Sequence, residues 1–379
     1  MIKHQFLNKL NFIPKEIIKI FFFIGTFSSL IFFNYFRFTK SNPETDLLNE
    51  GTTAIFEKDI NNKFIHCNSS KNYHLCLKDH NRRGGELIAW FGNSQLHAIN
   101  QYKEGQNSAP FLLHQLLLKD KKDLLTFSYG NASLQEHLIQ YSWLRQQKKP
   151  KVILISLVFD DLREGVLRED LINILSEDIN KKIIKNSNLN YTKFINNQSK
   201  KEIAPNKYST PQEYIELFLN RRLSKISYLW TNKSEISYQY FVFLNKLKNT
   251  LFNIKPETKR AMIMPIYEMN LEALKTIVKI SEQDGTKLFL YIAPINYGYE
   301  LPYFEDEYSK FKSQVKEISQ KSANITFNDI DNIIPESFWG LKDSTNTSGT
   351  LEIDFMHFTS KGHEYISKYL YKKLSEIVN

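Results

Sequence analysis

The feature that most restricts the fold of this chain is the segment Lys151–Phe159 (KVILISLVF), where apolar side chains follow one another almost without a break. A strand with one face in water alternates apolar and polar residues, so an unbroken run is typical of a parallel strand covered on both faces. Glu86–Phe91 (ELIAWF) and Asp123–Tyr129 (DLLTFSY) are strand-like runs that precede it. The sequence therefore predicts a buried, mainly parallel sheet.

Helical patterns alternate with these runs along the chain. Helices are predicted from about Gln95 and at Leu134–Gln147, Asn270–Asp284, Tyr308–Gln320 and Lys361–Val378, with further strands at Lys287–Ala293 and Asn324–Asn328. Alternation of this kind predicts an α/β fold, a three-layer α/β sandwich in which helices cover both faces of a mainly parallel sheet.

Residues 171–260 have a different composition. This stretch is first rich in Asn, Lys and Ser and then strongly aromatic, with Ile215, Phe218 and Leu219 at helical spacing. We interpret it as a basic polar loop followed by a helical hairpin, inserted into an α/β domain that comprises residues 86–170 and 261–379.

The N-terminus contains an apolar stretch, residues 20–36, that reaches the lower end of the ~17–25 residues needed to span a bilayer. Lysines are concentrated before it, and the positive-inside rule then places the N-terminus in the cytoplasm and residues after about Thr39 outside. Residues 1–40 are predicted to be a cytoplasmic tail and transmembrane anchor, and 41–85 a juxtamembrane segment. A cleaved signal peptide is the alternative, although no A-x-A-like cleavage site follows the apolar stretch.

The net charge is +9, from 50 Lys and Arg against 41 Asp and Glu. Such a balance would suit a nucleic-acid partner, but an extracytoplasmic location argues against one. The excess is also confined to residues 1–40, at +5, and to residues 171–260, at +9, while the rest of the chain carries −5. We therefore expect the insertion to lie near anionic headgroups or an anionic envelope polymer.

Cys67 and Cys76 are the only cysteines in the chain. An oxidising compartment would permit them to form a disulfide across a short loop. A metal cluster with the neighbouring His66 and His74 is a second interpretation, although the spacing matches no common zinc motif. Two unpaired thiols are the third.

Three polar motifs follow predicted strands, at the sheet edge where α/β proteins bind ligands. Phe91 leads into Gly92-Asn93-Ser94-Gln95, which places a serine hydroxyl at a tight turn and offers its backbone N–H to an oxyanion. Gly130 follows the second strand, where a backbone N–H can approach a ligand closely. An N-cap serine and a turn glycine are the ordinary alternatives.

The third motif is Asp354-Phe355-Met356-His357, just before the last predicted helix. On one loop, a carboxylate three residues before a histidine can orient the imidazole, which can then take a serine proton. A capping aspartate and a surface histidine are the alternatives.

Together these motifs resemble the GDSL/SGNH hydrolases, a superfamily with an SGNH/flavodoxin-like fold. The resemblance covers about residues 86–161 and 286–369. It implies that Ser94 is the nucleophile, His357 the general base and Asp354 its orienting acid, with the N–H groups of Ser94 and Gly130 forming an oxyanion hole. No cofactor and no metal are implied.

The third sequence block departs from the family pattern, which is G-x-N-D with the Asn side chain as a further oxyanion donor. This chain has Val158-Phe159-Asp160-Asp161. A carboxylate repels an oxyanion, so Asp160 either turns away or is protonated by burial. The remaining candidates for substrate contact around these turns are Asn93, Gln95, Asn131, Asp160 and Asp161.

An anchored domain of this type also resembles DltD-like and polysaccharide O-acetylation proteins. That narrower resemblance implies a membrane-anchored, extracytoplasmic serine esterase or acyltransferase that acts on O-acetyl-like esters of a cell-envelope glycan or acylated polymer. The implied partners are the polymer, the membrane and a membrane-bound O-acyltransferase. The alternative is a catalytically impaired scaffold that binds the polymer or the acyltransferase.

Overall fold

The computed structural model describes residues 51–176 and 246–378. The predicted anchor at 1–40 and most of the predicted insertion at 171–260 lie outside these residues, and both remain predictions. Among the helices within the described residues, none is long and apolar enough to cross a membrane.

The centre of the fold is a five-stranded parallel sheet whose neighbouring strands are, in order, β4 (Lys122–Ser128), β2 (Glu86–Gly92), β5 (Val152–Leu157), β6 (Lys287–Ile292) and β7 (Ile325–Asp329). This confirms the predicted mainly parallel sheet. The order is that of flavodoxin-like folds, in which the chain reverses direction across the sheet between its first and third strands. The described residues contain nine strands: β1 (Thr52–Ala54), β2 (Glu86–Gly92), β3 (Ala98–Asn100), β4 (Lys122–Ser128), β5 (Val152–Leu157), β6 (Lys287–Ile292), β7 (Ile325–Asp329), β8 (Trp339–Lys342) and β9 (Glu352–Phe358).

Helices cover both faces of the sheet, which gives the predicted three layers. Seven α-helices lie entirely within the described residues: α1 (Ser70–Arg83), α2 (Ala109–Leu118), α3 (Leu134–Gln147), α4 (Glu169–Ser176), α5 (Met264–Asp284), α6 (Glu305–Ser319) and α7 (Ser360–Val378). The side chains of β2 alternate between two apolar clusters, since Leu87 and Phe91 pack with α1, α3, α5 and α6, whereas Ile88 and Trp90 pack with α2 and α7.

Local signals fix several element boundaries. α3 begins after Ser133, whose hydroxyl accepts the backbone N–H of Glu136 while the Glu136 carboxylate accepts that of Ser133, a complete capping box. α5 ends at Gly285, whose φ of 66° is the left-handed conformation that glycine adopts without strain.

The helix predicted from about Gln95 is wrong. Residues Ser94–Leu96 form only one 3₁₀ turn, and the chain then enters β3, which pairs with β1 in an antiparallel two-stranded sheet. Because β1 comes from a segment remote in the sequence, tertiary pairing overrides the local helical pattern.

The segment that carries Asp354 and His357 is also a strand, rather than the predicted loop. β9 pairs antiparallel with β8 in a hairpin at the carboxyl edge of the sheet. The hairpin gives the motif a rigid support.

Residues 51–85, assigned from the sequence to a juxtamembrane segment, contribute β1 and α1 to the folded body. Cys67 and Cys76 form a disulfide that joins the chain before α1 to that helix. The backbone N–H of Cys67 donates to Thr126 O at 2.7 Å, so this segment also lies against the edge strand β4.

Candidate active site

Ser94 lies directly after β2, on the 3₁₀ turn. The Asn93 side chain fixes the start of this turn, because its Oδ1 accepts the backbone N–H of Gln95 at 2.9 Å. Gly92 allows the turn to fold back on the strand, since a Cβ at this position would lie 2.6 Å from Leu96 Cδ1. Ser94 is half-buried, so its hydroxyl remains open to a ligand.

His357 approaches the serine from β9. Its Nε2 lies 2.9 Å from Ser94 Oγ, and its Nδ1 lies 2.9 Å from Asp354 Oδ2. Serine, histidine and aspartate therefore form one hydrogen-bonded chain, as the sequence motifs predict. This arrangement can move a proton from the hydroxyl to the imidazole while the carboxylate stabilises the imidazolium.

The carboxylate of Asp354 is held by four hydrogen bonds. Oδ1 accepts the backbone N–H groups of Met356 and His357 at 2.8 and 3.1 Å, and Oδ2 accepts Asn100 Nδ2 at 3.1 Å as well as His357. The Lys342 ammonium also acts on this carboxylate, through space. Burial by itself raises the pKa of Asp354, but attraction and hydrogen bonding to His357, with help from the Lys342 ammonium and the Met356 N–H, hold it well below its usual range.

Two backbone N–H groups point to an oxyanion site. β2 and β4 run in register up to the pair Gly92–Ser128, so the turns that follow, at Ser94 and Gly130, are neighbours at the sheet edge. Among the described residues, neither the N–H of Ser94 nor that of Gly130 has a hydrogen-bond partner. Both are therefore available to a developing negative charge.

The Gly130 turn is held in place by Arg168. Its guanidinium donates to Gly130 O and to the buried carboxylate of Glu136. Asn131 has a φ of 52° and an exposed side chain, which leaves it at the rim of the site.

Asp160 turns away from the oxyanion position and stays charged. Its Oδ1 accepts Arg163 Nη1 at 2.9 Å, and its Oδ2 is paired with Arg260 and accepts the Tyr303 hydroxyl at 2.9 Å. Burial by itself raises the pKa of Asp160, but Arg260 and Arg163 outweigh it and lower the pKa.

In Asp161, burial is the dominant influence on the pKa of the carboxyl group. It lies under the serine turn, where Oδ1 accepts Asn93 Nδ2 at 2.9 Å and Oδ2 accepts the backbone N–H of Val158 at 3.3 Å. Burial raises the pKa of Asp161 well above its usual range, despite the hydrogen bond from Asn93. Protonation by burial was one expectation for Asp160; the structure assigns it to the next residue.

Gln95, like Asn93, is almost fully buried. Its Nε2 donates to Pro294 O at 2.7 Å and to Met356 O at 2.8 Å, which ties the serine turn to the loop after β6 and to β9. Three of the predicted substrate-contact residues therefore bind one another or the backbone: Asn93, Gln95 and Asp161. The other two, Asn131 and Asp160, reach the surface of the site.

Two residues that the sequence did not suggest also belong to the site. Asn100 donates to Asp354 and, at 2.7 Å, to His357 O, so it holds both ends of the acid–histidine motif. Arg260, assigned to the insertion from the sequence, reaches Asp160. Neither lies in a motif, and only the folded chain brings them to this edge.

The described residues contain no group of three or more His, Cys, Asp or Glu side chains arranged to hold an ion.

No family model matches this sequence, and no curated protein is significantly similar to it. Several solved structures share a weak structural likeness. A candidate acylhydrolase from Bacteroides fragilis is 10% identical with a TM-score of 0.37, and the match covers 85% of this chain and 100% of that one. A variant of an acetyl-xylooligosaccharide esterase from Geobacillus is 10% identical with a TM-score of 0.36, covering 77% of this chain and 94% of that one.

A Corynascus carbohydrate esterase family 2 enzyme with a carbohydrate-binding domain is also 10% identical, with a TM-score of 0.33 and coverage of 77% of this chain and 66% of that one. Likenesses this weak do not establish a family for the chain.

Proposed function

We propose that this protein is a serine-dependent ester hydrolase or O-acyltransferase of the SGNH type. The observation that carries the proposal is the continuous chain of contacts from Ser94 Oγ through His357 to Asp354, with both contacts at 2.9 Å. A serine, a histidine and an aspartate in this order form a nucleophile, a base and an orienting acid.

In the first half-reaction Ser94 Oγ attacks the carbonyl carbon of the ester while His357 Nε2 takes the hydroxyl proton. The N–H groups of Ser94 and Gly130 bind the tetrahedral oxyanion. His357 then returns the proton to the leaving alkoxide, the C–O bond of the ester breaks, and an acyl-Ser94 ester remains.

In the second half-reaction an acceptor hydroxyl attacks the acyl-Ser94 carbonyl and gives its proton to His357. Collapse of the second tetrahedral intermediate returns that proton to Ser94 Oγ. Water as the acceptor completes a hydrolysis, whereas a glycan hydroxyl completes a transfer.

The substrate in this proposal is an O-acetyl-like ester on a cell-envelope glycan or polymer. The protein would be held at the membrane by the segment 1–40, with a membrane-bound O-acyltransferase as its partner. The small acyl group suits a serine that is half-buried at the sheet edge.

One observation favours the second candidate, an impaired scaffold that binds the polymer or the acyltransferase. At the position where the family has an amide donor, Asp160 pairs with Arg163 and Arg260 instead. Loss of one oxyanion donor costs about 10²–10³ in rate, which still leaves measurable turnover.

Release of acetate from acetylated envelope polymer, with and without an added sugar acceptor, tests the proposal. We expect release or transfer by the full chain that is lost in Ser94→Ala. An equal rate in Ser94→Ala would contradict it, and tight polymer binding without any turnover would favour the scaffold.

A further inference from the structure

Lys342 is a half-buried cation beside the serine–histidine–aspartate chain. In the β8–β9 hairpin it is the cross-strand partner of Glu352, and Asp354 lies two residues further along β9, on the same face. The charge of Lys342 contributes to the lowered pKa of Asp354.

The carboxylates around Lys342 are engaged by other donors. Glu352 Oε2 accepts the N–H and the hydroxyl of Thr345 at 2.8 and 2.7 Å, and its Oε1 accepts the Ser344 hydroxyl at 3.0 Å. Both oxygens of Asp354 are occupied by the donors described above. Among the described residues, the Lys342 ammonium therefore has neither a hydrogen bond nor an ion pair.

Arg260 is a second cation at the same edge of the sheet. Its Nη1 is committed to Asp160, but Nε and Nη2 have no partner within the described ranges, and 27% of the side chain is exposed. Tyr303 connects this pair to the triad, because its hydroxyl binds Asp160 and lies 3.9 Å from the sulfur of Met356, the neighbour of His357.

The electrostatics of Lys342 favour an anionic ligand. Burial lowers the pKa of Lys342; Asp354 opposes the decrease and Arg260 adds to it. A desolvated ammonium gains when an oxyanion provides the contact that the protein does not, and a guanidinium edge suits the planar geometry of a carboxylate.

We propose that Lys342 and Arg260 form an anion subsite beside Ser94, which binds a carboxylate or phosphate group on the sugar that carries the acyl ester. This inference rests on the proposed function and narrows it to acidic polymers. The acid group would sit on the side of the site that faces Asp160, and would orient the ester carbonyl over Ser94.

Three acetylated sugars separate the two anions from a neutral control: acetylated glucuronate, acetylated glucose phosphate and acetylated methyl glucoside. For the wild-type chain we expect kcat/KM to be at least about tenfold higher on one acidic sugar than on the neutral one, a ratio that falls with added salt. Lys342→Met should lower kcat/KM on that acidic sugar at least about tenfold more than on the neutral sugar, and Lys342→Arg should retain most of the preference.

Lys361→Met is the matched control, because it removes an exposed lysine at the start of α7. It should leave the preference for acidic sugars unchanged. If Lys342→Met lowers kcat/KM equally on acidic and neutral sugars, Lys342 acts only through Asp354 and the subsite is refuted.

Binding measurements keep this test separate from the catalytic proposal. Full-chain Ser94→Ala should bind glucuronate or glucose phosphate by calorimetry, and the further change Lys342→Met should weaken that binding about tenfold. Binding that depends on Lys342 in a protein without turnover would retain the subsite and reject the enzyme. Turnover that shows no preference for acidic sugars would retain the enzyme and reject the subsite.

Discussion

Ser94 Oγ and His357 Nε2 lie 2.9 Å apart although 263 residues separate them in the chain. The parallel sheet delivers the serine at the end of β2, and the β8–β9 hairpin delivers the histidine at the same edge. Since each residue is fixed by its own hydrogen bonds to the backbone or to buried amides, the contact is built into the fold before any ligand binds.

Asp354→Asn tests the orienting acid. The amide can present its N–H to His357 Nδ1 and favour the wrong tautomer, so we expect kcat to fall by about 10⁴ with little change in the fold. Ester turnover and near-UV circular dichroism measure the two effects. An activity within tenfold of wild type would show that Asp354 has no part in catalysis.

Asn100→Ala tests a positioning residue. Asn100 Nδ2 bridges Asp354 Oδ2 and His357 O, and loss of a hydrogen bond to a charged group costs about 1.5–3 kcal/mol, or about 10–100-fold in kcat with KM unchanged. Asn100→Asp should be worse than Asn100→Ala, because it sets a second carboxylate against Asp354. Asn81→Ala, at an exposed position on α1, is the control. If Asn100→Ala and Asn100→Asp are equally mild, the positioning role is refuted.

The fold was more predictable from the sequence than the site. β5 and α3 follow directly from an unbroken apolar run and from a capping box, both local signals. β3 and the β8–β9 hairpin were missed because short strands of mixed polarity depend on a partner strand elsewhere in the chain.

The triad residues were predictable because each lies in a motif of fixed spacing. Asn100, Arg260 and Lys342 were not, because each is a single polar residue whose position depends on tertiary structure. The charge state of Asp160 could not be predicted for the same reason. It depends on Arg163 and Arg260, which are 3 and 100 residues away in the sequence.

Asp160→Asn tests the charge cluster beside the site. The change leaves Arg163 and Arg260 without their shared carboxylate, and we expect the free energy of unfolding to fall by about 2 kcal/mol, a value reduced from that of fully buried pairs because Asp160 is partly exposed. Urea denaturation measures the loss, and Glu268→Gln on the exposed face of α5 is the control. Unchanged stability would show that the pairs contribute nothing.

Acid should destabilise the protein between about pH 6.5 and 4. Burial lowers the pKa of His66 to about 3 and, as the largest cause, those of His114, His137 and His363 to about 4. The unfolded chain therefore binds more protons than the folded chain in this window, and stability falls as the pH falls. Glu57 and Glu164 act in the opposite direction, because burial raises their pKa values to about 7. Glu136 and Asp161 act in the same way, because burial raises their pKa values too.

Urea midpoints at pH 7, 6 and 5 measure this dependence. With His97, whose pKa burial also lowers, five histidines stand against four carboxyl groups. The midpoint should therefore decrease, and His137→Gln should make the decrease shallower. His74→Gln removes an exposed histidine and should not. A midpoint that is constant or rises on acidification would contradict the account.

Reaction of the full chain with a fluorophosphonate, followed by intact mass, shows whether Ser94 is a nucleophile activated by His357. We expect one adduct per chain, absent in Ser94→Ala and at least about 10²-fold slower to form in His357→Ala, because the hydroxyl then lacks its base. No adduct on a correctly folded chain, or an adduct that persists in Ser94→Ala, would contradict this role of Ser94.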